Sequence, residues 1–213
     1  MFPVRATIIA TVAAAAVCIA AAASAFDIKL NPFSAIKNAV EKAAEDRSAA
    51  DIAKDLALKT KITAEVVDKL GTEVISISSD VYEQDVMLTG AVEKAELKSQ
   101  AGALTAAIEG VKKVYNEIRV VKPVDKEKGA VEEKGAVENF VDDSVIETKI
   151  KALLLEASGV SATNFRWRSV GGHVFLFGRA LSQAERKKAT TVVAYIDNVE
   201  AVINRAKVRA KPK

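Results

Sequence analysis

The stretch Val86-Met87-Leu88-Thr89-Gly90 returns as Val174-Phe175-Leu176-Phe177-Gly178, 88 residues further on, and the register then holds without a gap for more than 30 positions. Gly90 falls on Gly178, Ala101 on Ala189, Val111 on Val199, Val114 on Val202, Asn116 on Asn204 and Val120 on Val208. Gly110 falls on Asn198, and Gly and Asn are the residues that most readily take the left-handed conformation after a helix. An internal repeat decides organisation before any single element does. The 213 residues therefore read as two copies of one small unit. Each copy, at roughly 70–75 residues, is long enough for one modest core.

Outward from Val86–Thr89, the first copy reads as helix, strand, strand, helix, strand. Ser48-Ala49-Ala50-Asp51 is a capping-box-like start. Ile52, Leu56 and Ile62 predict an apolar stripe in which Lys59 is the flaw, and Val66, Val67 and Leu70 add a turn before Gly71. Ile75 and Ile77 alternate with Ser76 and Ser78, which predicts a half-buried strand over Val74–Tyr82. Glu83-Gln84-Asp85 turns the chain back. Leu97, Ala101, Leu104 and Ile108 make a second helical stripe, and Val114–Val121 a last strand. The second copy repeats the order. Asp142 and Asp143 suit a helix N-terminus, and Val145, Ile146, Ile150, Leu153 and Leu154 give its stripe, flanked by Lys149 and Lys151. Phe165-Arg166-Trp167-Arg168 alternates as a strand, and Gly171-Gly172 is a two-residue hairpin turn. Ser182-Gln183-Ala184-Glu185 is a capping box, Ala189, Val192, Val193 and Ile196 follow it, and a final strand runs over Val199–Ala210. The fold class is α+β, each copy placing two helices on a three-stranded mixed sheet.

Residues 1–25 read as a cleavable export signal: Arg5, an apolar Ile8–Ala23 core, then Ala23-Ser24-Ala25 as a small-x-small cleavage pattern. Val17 precedes Cys18 where a lipoprotein-type cysteine wants a small residue, so a tether through Cys18 is the alternative reading. Cleavage after Ala25 leaves a chain without cysteine. Residues 26–46 form a helical extension, with Asn31-Pro32 as its start and Phe33, Ile36, Val40 and Ala43 on one face. The first copy spans residues 47–121 and the second 141–210. Between them, residues 122–140 carry Pro123 and a tandem Lys-Gly-Ala-Val-Glu, a charged linker expected to orient the copies only loosely.

The Val-x-Leu-x-Gly strand end at Val86–Gly90 and Val174–Gly178, the mid-helix Ala101 and Ala189, Gly110-Val111 with its echo Asn198-Val199, and Asn116 and Asn204 resemble the BON domain, a bacterial envelope module. Val114-Tyr115-Asn116-Glu117-Ile118-Arg119 is similar to dual-BON periplasmic proteins, as is the spacing of Ile146, Thr148-Lys149 and Leu153-Leu154. The resemblance covers about Arg47 to Val208. It implies two tandem BON domains without catalytic activity. One branch of such proteins is implied to bind anionic phospholipid through the first helix of the second domain. There an aromatic residue stands near the helix start, whereas this chain has Val145, with Phe140 upstream and not equivalent.

Charge agrees with an anionic partner. Residues 142–213 hold 13 Lys/Arg against 7 Asp/Glu, whereas residues 47–121 hold 10 against 12. Arg205, Lys207, Arg209, Lys211 and Lys213 alternate with Ala206, Val208, Ala210 and Pro212, which strand period places on one face. Arg166 and Arg168 share a face of their own strand. Anionic head groups attract such clusters; a solvated basic face is the plainer reading. The export signal argues against nucleic acid as partner, and Phe165 and Trp167 read as core. His173 is the lone histidine, at the hairpin tip, so a His-ligated metal or a Cys–His pair lacks a second member. No phosphate loop is present, and no catalytic, metal or cofactor site is expected. The expected function is that of a periplasmic, non-catalytic protein supporting envelope integrity or stress tolerance. Its anionic-phospholipid contacts are Val145, Lys149 and Lys151, with Arg166, Arg168, Arg205, Lys207 and Arg209 steering. The alternative is an interaction module for another envelope protein with no lipid contact. Oligomeric state is open.

Overall fold

A computed structural model describes residues 45–74, 76–121 and 136–210, apart from the side chains of residues 72, 73 and 136–141. The expected export signal with Cys18, the helical extension before residue 45, Ile75, residues 122–135 of the linker, and Lys211 and Lys213 lie outside these residues. The described residues belong to one compact unit.

The first repeat opens with α1, Ala49–Leu70, capped by Ser48, whose hydroxyl accepts from the Asp51 N–H at 3.1 Å. A 3-10 turn, Gly71–Val74, leads to β1 (Ser78–Tyr82), β2 (Asp85–Thr89), β3 (Ala91–Val92), α2 (Ala95–Ala107), β4 (Lys113–Asn116) and β5 (Arg119–Val120). The second repeat has α3 (Ala136–Glu156), a 3-10 turn Ala162–Asn164, β6 (Phe165–Val170), β7 (His173–Ala180), α4 (Gln183–Ala194), β8 (Ala201–Asn204) and β9 (Lys207–Val208). β1 runs antiparallel to β2 and β6 to β7, while β4 and β8 add in parallel. Val86 lies opposite Val114 and Val174 opposite Val202, so the strand register repeats at the same offset as the sequence.

β2 and β7 are buried on both faces, as their continuous apolar runs require. Val86 and Leu88 join Leu58, Ile62, Val66, Ala101 and Ile108 in the core between sheet and helices. Their counterparts 88 residues on, Val174, Leu176, Ile146, Ile150, Leu154, Ala189 and Ile196, make the second core. Val-x-Leu-x-Gly thus supplies two core residues and a glycine with a separate task. Gly90 and Gly178 sit at φ 124° and 111°, and a Cβ there would lie 2.3 Å from the Ser76 carbonyl oxygen or 2.2 Å from that of Asn164.

The structure departs from the sequence reading where neighbours outweigh periodicity. On α1 the buried stripe is Asp55, Leu58, Ile62 and Val66, and Leu56 is exposed. On α3, Ile146, Ile150 and Leu154 are buried whereas Val145 and Leu153 face outward. β1 begins at Ser78 because the 3-10 turn takes Val74 into the core. The expected last strands each break after an asparagine. The Asn204 side chain accepts from the Ala206 N–H at 2.9 Å and donates to the Arg186 carbonyl at 3.2 Å; Asn116 likewise accepts from Ile118 and donates to Lys98. That local bonding competes with ladder pairing and steps the chain from β4 to β5 and from β8 to β9.

Candidate functional site

Of the eight side chains singled out from sequence, six meet carboxylates, five of them in one joint. Arg166 pairs with Glu45, ahead of α1, and Lys207 with Asp85. Arg168 Nε lies 3.0 Å from Asp80 Oδ2, Arg205 Nε donates to Glu117 Oε1 at 2.6 Å, and Arg209 Nη1 donates to Glu83 Oε2 at 2.7 Å. Arg179, which sequence reading passed over, also pairs with Glu83 and donates to the Asp46 carbonyl at 3.3 Å. The basic row therefore faces the acidic sheet of the first repeat. In place of two loosely oriented copies there is a packed joint.

The joint has an apolar centre. Tyr82, Met87, Phe175 and Phe177 are buried together, with Tyr115, Val170 and Ile203 against them. Tyr115 meets Phe177 edge-on at 5.9 Å. Tyr82 lies beneath the Arg47 guanidinium, 4.1 Å from its ring centre, with Arg166 at 5.6 Å. Burial pushes its phenol up to about 12, although Arg47, Arg179 and Arg166 pull the other way. Asn164 ties the joint to the segment ahead of α1, accepting from the Asp46 N–H at 3.0 Å and donating to its carboxylate at 2.8 Å.

Behind each sheet a helix carboxylate holds the hairpin. Asp55 accepts from the Glu83 and Gln84 N–H groups at 2.7 and 2.8 Å. Its counterpart Asp143 accepts from Gly171 and Gly172 at 2.7 and 3.1 Å and from the Ser169 hydroxyl at 2.6 Å. Asp143 thus serves the turn and not, as the sequence suggested, a helix N-terminus, because α3 begins at Ala136. Gly171 and Gly172 take φ 54° and 72°, whereas the first repeat puts Glu83 and Gln84 at 53° and 65°. An L side chain in that region is strained, and Glu83 uses its side chain to hold Arg179 and Arg209.

Lys59, the flaw in the α1 stripe, lies 3.3 Å from Asp80. Its counterpart is Glu147, whose carboxylate lies 3.9 Å from Arg168 and accepts from the Ser169 N–H at 3.0 Å. Burial raises the Glu147 carboxyl above its ordinary value, opposed by the Ser169 hydrogen bond and Arg168. Trp167 donates to the Glu147 carbonyl at 3.1 Å and packs on the second core, and His173 Nδ1 lies 3.0 Å from the Gly171 carbonyl oxygen.

The remaining three residues, Val145, Lys149 and Lys151, lie on α3. Val145, Leu153 and Leu155 are 47%, 36% and 60% exposed, and at 100° per residue they span an outward arc of roughly 160°. Lys149 sits within that arc, one turn after Val145, and pairs with Asp197 at 3.3 Å in an exposed contact. Two residues before Asp197, Tyr195 is 84% exposed. On the first repeat Ala57 and Gly110 stand where the second has Val145 and Asn198. There a hollow of about 290 Å³ opens, lined by Lys54, Ala57, Leu58, Lys61, Gln84 and Gly110.

Compared with known proteins, the chain matches the BON domain twice, over residues 54–122 and 142–210. The 21 kDa hemolysin of Actinobacillus pleuropneumoniae is 32% identical over 174 residues, 82% of this chain and 77% of the relative. The outer membrane lipoprotein DolP of Haemophilus influenzae is 30% identical over 122 residues, 57% of each chain. The osmotically-inducible protein Y of Escherichia coli is 26% identical over 155 residues, 73% of each.

Proposed function

The chain belongs to the BON-domain family through both of its repeats, and from that premise we propose that it is an exported, non-catalytic envelope protein that docks on anionic phospholipid through the outward face of α3, supporting envelope integrity or stress tolerance. The observation that carries the reading is the exposed arc of Val145, Leu153 and Leu155 with Lys149 inside it. Apolar side chains flanked by lysine are what an interfacial helix presents to head groups and the acyl boundary. Lys149 and Lys151 supply the charge. The Lys149–Asp197 contact is exposed, a kind of pair worth little, so a phosphate takes the lysine at small cost. Tyr195 adds an amphipathic ring beside the same surface. Arg166, Arg168, Arg205, Lys207 and Arg209 are engaged by carboxylates at the joint, and the contact is therefore assigned to the α3 side and not to this row. The names of two relatives, an outer membrane lipoprotein and an osmotically inducible protein, support an envelope setting. Among the described residues no helix is long and apolar enough to cross a membrane.

The test is flotation of residues 26–213 with vesicles of zwitterionic lipid alone or with added phosphatidylglycerol or cardiolipin. Retention on anionic vesicles only, weakened by salt, is expected. Reversing both Lys149 and Lys151 to Glu should weaken it at least about tenfold, given about 1 kcal/mol per cation near the surface. Retention that survives both reversals overturns the α3 assignment. No retention on any vesicle favours docking to an envelope protein instead.

A further inference from the structure

We infer that the two sheet faces form a heterotypic recognition pair, each built to accept the other and to refuse a copy of itself. The observation is a charge inversion at equivalent positions. Asp80 meets Arg168 and Glu117 meets Arg205, and the members of each pair stand 88 residues apart, the offset that superimposes one repeat on the other. In a two-fold contact between identical partners, a residue near the axis meets its own equivalent. The joint is therefore an approximately two-fold contact in which the axial residues have diverged to opposite sign. The pattern extends outward: Lys59 lies beside Asp80 and Glu147 beside Arg168, and residues 59 and 147 are equivalent too. One chain of charges, Lys59, Asp80, Arg168, Glu147, crosses the joint with every sign inverted about its midpoint.

Most of the apolar centre follows the same symmetry, with Met87 equivalent to Phe175, Tyr82 to Val170 and Tyr115 to Ile203, while Phe177 falls on Thr89. Apolar contact alone would let either repeat pair with itself. The axial charges remove that freedom. First repeat against first repeat would bring Asp80 to Asp80 and Glu117 to Glu117; second against second would oppose Arg168 to Arg168 and Arg205 to Arg205. Asp80 is 4% exposed, so the repulsion would act where solvent screens it least. Unpaired like charge set against the wrong partner is how interfaces gain specificity. The partner each face fits is a sheet of the same fold carrying the opposite sign at the two axial positions. Here that is the other repeat of the chain, and the recognition does not depend on the linker.

The test uses the full chain with a protease site placed between residues 122 and 135. After cleavage the halves should remain together on size exclusion. Asp80→Arg should weaken their association at least about tenfold, the scale of coupling between close interfacial charges. Asp80→Arg with Arg168→Asp should restore it. A second swap, Glu117→Arg with Arg205→Glu, repeats the logic at a pair nearer the surface, where misfolding is not at issue. Finally, cleaved protein tagged on the first repeat is mixed with untagged cleaved protein. Pull-down should recover untagged second repeats and no untagged first repeats. Halves that part on cleavage of the unsubstituted chain, single reversals without effect, swaps that do not rescue, or recovery of untagged first repeats would each overturn the inference.

Discussion

Glu83 allows local backbone strain to be set against the joint in one substitution. It sits at φ 53° in a hairpin turn where the second repeat has Gly171 at φ 54°. On backbone grounds alone, Glu83→Gly should stabilise the protein by about 1 kcal/mol, the cost of holding an L residue in the left-handed region. The joint argues the reverse. Glu83 is the carboxylate partner of Arg179, and their side chains are 13% and 8% exposed; without it the guanidinium keeps, among the described residues, the Asp46 carbonyl. Leaving one partner of a buried pair uncompensated costs about 3–5 kcal/mol, and the exposed end of the Arg209 pair adds little. The net expectation is a loss of about 2–4 kcal/mol, read as a lower urea midpoint at unchanged slope. Arg179 is equivalent to Ala91, so Glu83→Gly with Arg179→Ala puts into the joint what the other repeat has at both positions. It should recover most of the loss by removing the orphaned cation. If Glu83→Gly alone raises the midpoint, the pairing does not justify the strained turn, and the reasoning fails.

Two further outcomes follow from single positions. Gly178→Ala should cost about 3 kcal/mol or more by chemical denaturation, because the new Cβ meets the Asn164 carbonyl in a conformation that already disfavours a side chain; a loss within 0.5 kcal/mol, roughly the scatter of ordinary surface changes, would contradict this. Tyr82 has a folded pKa raised from 10.0 to about 12, so its phenol resists ionisation in the native protein while the unfolded chain ionises first. Relative to Tyr82→Phe, the protein should therefore keep a constant stability difference below pH 10 and lose up to about 3 kcal/mol as pH rises from 10 towards 12. Parallel curves for the two proteins across that range would show that the ring is not sealed in the joint.

The fold was legible because the duplication checks itself. The α1 stripe read from sequence, through Ile52 and Leu56, was off by part of a turn. The second copy, with Ile146 and Ile150 carrying the stripe, points at Leu58 and Ile62 once the offset is extended back beyond Val86. The hairpin carboxylates were legible on the same terms, since Asp55 falls on Asp143, but only the backbone shows that both face turn N–H groups. The broken last strands were not legible. Val114–Val121 has strand composition throughout, and nothing in its periodicity reveals that Asn116 bonds back onto α2 and steps the chain sideways.

The candidate site shows why summed charge misleads. Counting residues by repeat yields a basic half and a nearly neutral one, and a basic half invites an anionic ligand. Aligning the repeats column by column asks a different question, and Asp80 over Arg168, Glu117 over Arg205 and Lys59 over Glu147 then stand out as inverted signs at equivalent positions. Asp80 with Arg168 and Glu117 with Arg205 also touch across the joint, so the inverted signs attract where equal signs would repel. The excess of cations on the second repeat is in large part the complement of carboxylates on the first. A membrane sees mainly what is left after that cancellation, which is why the lipid reading rests on Lys149 and Lys151 of α3 and not on the longer row from Arg205 to Arg209.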